Sequence, residues 1–144
     1  MYYGLKLKHP ILNNSKGVFD VRLFNLEDDY YQTSNFLSTD TTDATHLNGS
    51  LMSYEITDNS LNRKQFASEG HFFTFKVKYL TALERTVPGS TALFDSTVTK
   101  QHDWLNINVE GQYYFLTKPH VHLGLHGKAM FNSQSLFANY TASL

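Results

Sequence analysis

The chain has 144 residues, of which 12 are Lys or Arg and 13 are Asp or Glu, with a net charge of -1, 41% hydrophobic residues and no cysteine. That length fits a single domain over residues 1–144 with one sizeable core, and the near balance of charge gives no sequence-wide field for phosphates or anionic lipid. Without cysteine there is neither a disulfide framework nor thiolate chemistry, and the 15% of aromatic residues favour pleated surfaces over helices.

Charged residues make up only 17% of the chain, against about 25% for an average soluble protein, so little repulsion keeps copies apart. The segment Met1 to Pro10 lacks an apolar leader, and no run of about 18 apolar residues follows. The expectation is a protein of a virion or of the cytoplasm, with no membrane and no strong nucleic-acid binding. An eight-stranded outer-membrane barrel would share the length and alternation, but the start at Met1 without a leader argues against it.

In chain order, Tyr3, Leu5 and Leu7 alternate with Lys6 and Lys8 and predict a first strand that stops at Pro10. The polar turn Asn13 to Gly17 leads into Phe19, Val21 and Leu23, which predicts a hairpin. From Glu27 to Ser50 no pattern holds, and a long polar loop is expected with an aromatic island of Tyr30, Tyr31 and Phe36. Met52, Tyr54 and Ile56 restore alternation; Leu61 to Phe66 could close one helical turn. His71 to Tyr79 is a strong strand with Phe73, Phe75, Val77 and Tyr79 on its core side, and Thr81 to Glu84 has capping-box spacing for a short helical turn. Leu93 to Thr99 is a weaker strand, and Trp104 to Phe115 is the longest clean alternation in the chain. Val121 to Leu125 and Leu136 to Ala142 complete about eight strands. The class expected is all-β, an antiparallel β-sandwich or jelly roll with one long polar loop.

Several constellations could carry chemistry. His120, His122 and His126 project from one side of a strand, and His120 with His122 could share a zinc ion, with His71 or His102 as a third ligand. The stretch Pro119 to His126 resembles the first metal motif of cupins, two histidines one residue apart with an acid following. Here His126 stands where the acid belongs, the glycine spacing differs, and 18 residues remain for a second motif. The alternative is a wet strand face or an interface.

Phe72, Phe73 and Phe75 beside Lys76 and Lys78 could stack bases, although Phe73 and Phe75 belong with the core side. Glu27, Asp28, Asp29, Asp40 and Asp43 could supply oxygen ligands to calcium, without EF-hand spacing. Trp104, Tyr113 and Tyr114 are candidate glycan platforms. No nucleophile elbow, Gly-rich phosphate loop or His-Glu-x-x-His is present, so no enzyme is expected. The leading expectation is a non-enzymatic structural subunit of a large assembly, such as a virus or phage capsid decoration or tail protein. It would contact copies of itself and other structural proteins through Tyr30, Tyr31 and Phe36. A glycan-binding module comes second and a cupin-like metal protein third.

Overall fold

The computed structural model describes residues 1–63, 67–93 and 95–135. Six strands follow one another: β1 (Tyr2–Leu12), β2 (Ser15–Tyr30), β3 (Asp43–Asn59), β4 (His71–Val87), β5 (Val98–Lys118) and β6 (Val121–Asn132). They form one antiparallel sheet in sequence order, each strand paired with the next, so the architecture is a six-stranded meander. The all-β antiparallel class expected from the sequence is present. Among the described residues there is one sheet, with no second sheet packed on it and no helix.

The strands are longer than the alternation suggests, which is why six stand where about eight were expected. Leu26 to Tyr30 continue β2 because they pair with Asp43 to Leu47, and the long polar loop shrinks to residues 31–42. Thr81 to Glu84 continue β4 opposite Lys100 to Asp103 rather than closing a helical turn, since cross-strand pairing outweighs a local capping signal. Of the weak strand expected over Leu93 to Thr99, Val98 and Thr99 belong to β5, and Phe94 lies outside the described residues. The last expected strand, Leu136 to Ala142, and residues 64–66 of the expected turn lie outside the described residues.

Two turns have two residues each, Asn13-Asn14 and Pro119-His120, and both lie at one end of the sheet with the β3–β4 connection. The connections 31–42 and 88–97 lie at the other, which we call the loop end. Gly70 opens β4 at a φ of +96°, and a Cβ there would stand 2.3 Å from the Ser60 carbonyl oxygen, so only glycine fits. Pro10 sits on the edge strand β1, where proline is tolerated, and pairing turns irregular just after it. A second irregularity, between Tyr114 and Leu116, leaves Phe115 as the extra residue of a bulge.

The register sorts the side chains into two faces. One carries Leu5, Val21, Met52, Tyr79 and Leu105 in one cross-strand row, and Leu7, Phe19, Tyr54, Val77, Ile107 and Phe131 in the next. The other carries Lys6, Asp20, Ser53, Lys78, Asn106 and Asn132 in a single row. Burial runs opposite to the expectation of an apolar core. The buried strand residues Val18, Asp20, Asp43, Ser53, Ala82, Glu84, Thr86 and His102 all belong to the polar face. On the apolar face Leu5 is 60% exposed, Leu125 71% and Phe131 55%. Phe73 and Tyr79, expected in a core, are also exposed, and Phe75 and Val77 are half-buried.

Candidate functional site

The polar face is the best-formed feature of the molecule, and its loop end is its most enclosed part. Glu84 on β4 and His102 on β5 are offset by two residues in register, Glu84 facing Lys100 and His102 facing Ala82, and both are 1% exposed. The His102 Nε2 lies 2.6 Å from the Glu84 Oε2, and the Thr86 hydroxyl donates to the other carboxylate oxygen at 3.4 Å. Trp104 meets the His102 ring edge-on with centroids 6.5 Å apart. The other ring nitrogen, Nδ1, lies 3.4 Å from the Ser135 hydroxyl beyond β6, and a polar pair this dry persists only with such partners.

Asp43, the first residue of β3, is fully buried. It accepts the Gly89 amide at 2.6 Å and the Thr91 hydroxyl at 3.0 Å, tying β3 to the connection after β4. The Gln32 amide donates to the Thr91 hydroxyl, and the Thr41 amide to the Ser90 hydroxyl. A Cβ at Gly89 would come within 2.3 Å of the Thr41 carbonyl oxygen, so this close approach also requires glycine. Gln32, Thr41 and Asp43 are thus joined to residues 89–91 by hydrogen bonds.

Below the loop end the polar face becomes a ladder of charges. The Arg22 guanidinium clamps Asp20 at 2.6 Å, Lys76 meets Glu55 at 2.7 Å, and Lys128 and His126 both approach Glu110, at 3.5 and 3.3 Å. Asn106 and Asn108 bond to each other across the same strand, and the Gln112 amide donates to the Tyr114 hydroxyl. Small or neutral side chains, Ser53, Thr57 and Thr74, fill the spaces between.

The apolar face has a different border. The Tyr79 hydroxyl donates to Asp103 at 3.2 Å, one row nearer the loop end, and Glu27 faces His46 beyond it at 3.7 Å. At the opposite border Tyr54 and His9 stack and share a hydrogen bond of 3.1 Å.

The candidates from sequence are mostly separated. His120 lies in the β5–β6 turn and His122 on β6 opposite Thr117, both exposed. No group of three or more His, Cys, Asp or Glu side chains suited to one metal ion occurs among the described residues. Trp104 and Tyr114 lie on the polar face ten residues apart on one strand, about 34 Å, while Tyr113 is on the apolar face, so the three do not form one platform. Tyr30 donates to or accepts from Thr45 at 3.1 Å, and Tyr31 stacks on Phe36 with centroids 4.1 Å apart. Glu27, Asp28 and Asp29 alternate between faces, and Asp40 is occupied by the Leu37 amide at 2.7 Å. Phe72 shares a face with Lys76 and Lys78, whereas Phe73 and Phe75 are on the other.

Sequence reasoning missed Asp43, Glu84 and His102 as structural centres. A polar residue in a strand gives no hint that its face is the buried one; only Glu84 and His102 with Thr86, all in phase with Ala82, hint that this face is enclosed. No family model, curated protein or solved structure matches the chain.

Proposed function

We propose that this sheet is wall of a membrane-spanning β-barrel, with its apolar face against lipid hydrocarbon and its polar face toward an interior. The observation that carries the reading is the inversion of burial: charged and polar residues occupy the dry positions while large apolar ones are exposed. In water such an arrangement sets large exposed apolar side chains side by side on one face, which monomers avoid, whereas in a bilayer it is the favourable one.

Dimensions support it. The strands have 11 to 21 residues, and a tilted strand needs about 9–11 to cross the hydrocarbon. The apolar run from Leu105 to Tyr113 on β5 rises about 27 Å along the strand, comparable to the roughly 25 Å apolar band of such barrels. The meander order, with two tight turns and the connection 60–70 at one end and the connections 31–42 and 88–97 at the other, is compatible with the up-and-down connectivity barrels use. Among the described residues no helix is long and apolar enough to cross a membrane, so under this reading strands are the spanning elements. The inversion runs through β2 to β5, the four strands that carry the buried residues.

The test uses the absence of native cysteine. Single cysteines placed at Leu7, Val77 and Ile107, and separately at Ser53, Lys78 and Asn106, are nitroxide-labelled in protein reconstituted into vesicles. Oxygen, which partitions into hydrocarbon, should relax the first set, and a water-soluble nickel chelate should not. Equal nickel access to the first set, or protein that fails to float with vesicles, would sink the reading.

The second reading keeps the chain as a structural subunit of an assembly such as a virus or phage particle, with neighbouring protein covering the apolar face. The exposed Phe36 and Leu37 at the loop end favour it, since they stand beyond the apolar band. Light scattering in detergent-free buffer separates the two: closed oligomers of defined mass support the assembly, and aggregation reversed only by detergent supports the membrane.

A further inference from the structure

We propose that the polar face forms a pathway selective for small inorganic anions; the inference rests on the membrane-barrel reading. It comes from the charge count of four consecutive rows of that face, from the row of Arg22 to the row of Lys16 and Lys128. These rows hold Arg22 and six lysines, two on β1, one on β2, two on β4 and one on β6, against three carboxylates, Asp20, Glu55 and Glu110. Seven cations less three anions leave four positive charges on this strip, in a chain whose net charge is -1. The excess is therefore concentrated on this strip; toward the loop end the same face carries Asp28, Asp43 and Glu84 against Lys100.

The pairing geometry strengthens the point. All three carboxylates are already engaged, Asp20 by Arg22, Glu55 by Lys76 and Glu110 by Lys128 with His126. Lys6, Lys8, Lys16 and Lys78 have no ion pair within 4.0 Å among the described residues. Lys78 is half-buried at the middle of the sheet, flanked in its row by Ser53 and Asn106, neither of which neutralises it. The four rows span about 20 Å along the strands, so the cations form a strip rather than a point. A Debye length of about 10 Å in 0.1 M salt leaves neighbouring rows within one another's field, and apolar walls focus that field along the strip. Lysine-lined passages of this sort favour anions by concentrating them and excluding cations.

The experiment is a reversal-potential measurement on full-length protein in a planar bilayer under a potassium chloride gradient. The expected result is a several-fold preference for chloride, lost in Lys6→Glu/Lys78→Glu, which brings the strip to neutrality, and kept in Arg85→Glu on the opposite face. Cation preference in the unmodified protein, or a double variant as chloride-selective as the parent, would overturn the inference. So would the lack of any conductance from protein that passes the nitroxide test, and there the membrane reading itself would stand. Failure to insert would overturn both.

Discussion

The two ends of β4 show how differently one strand can use its alternation. From Ala82 to Thr86 the even-numbered residues Ala82, Glu84 and Thr86 are buried while Leu83 and Arg85 are exposed. From Phe73 to Tyr79 the apolar odd-numbered residues lie on the uncovered face and the lysines 76 and 78 on the other. Near the loops a polar interior is sealed by specific hydrogen bonds, and toward the middle of the sheet the same face is an open charge ladder. Burial in this molecule follows enclosure by loops and by neighbouring long side chains, and apolar character does not decide it.

The largest expected effect tests the sealed end. His102→Ala takes the 2.6 Å partner from the dry Glu84 carboxylate, and removing one partner of such a buried pair costs about 3–5 kcal/mol. Glu84→Leu combined with His102→Leu should cost less than either single change; urea unfolding of all variants in one detergent or buffer checks the order. A double variant worse than both singles would mean that the pair holds more than itself in place.

Next comes the middle of the sheet. Val77→Arg should cost about 2–4 kcal/mol in lipid, as a charge at the centre of a lipid-facing strand does, while Lys78→Gln one residue along should change stability by less than about 0.5 kcal/mol. Equal effects at the two positions would remove the distinction between faces. A smaller loss is expected for Asp43→Ala, about 1–3 kcal/mol, because the Gly89 amide loses its buried acceptor. Hydrogen exchange at Gly89 should accelerate, and proteolysis should cut first in residues 31–42 or 88–97. The smallest is Phe36→Ala, about 0.5–1.5 kcal/mol from the lost stack on Tyr31, read as a shift in the same unfolding curve.

Alternation in the residues from Trp104 to Phe115 and from His71 to Tyr79 was enough to place β5 and β4, because a period of two has no other regular explanation. The part of β2 from Glu27 to Tyr30 was not legible, since acidic residues there look like a loop until Ala44, Thr45 and His46 are found opposite them. Trp104, Tyr113 and Tyr114 could be grouped on paper, yet the pleat sends Tyr113 to the other face and the strand's length carries Tyr114 far from Trp104.

The sequence by itself determined that this is an antiparallel all-β chain, which residues share a face, and that no cysteine chemistry operates. Only the tertiary structure decided which face is dry, that residues 31–42 and 88–97 join through Asp43, and that the lysines of β1, β2, β4 and β6 lie on one strip. The physical reason is symmetry. Alternation assigns each side chain to one of two sides but carries no sign, and the sign comes from what covers each side once the strands are paired.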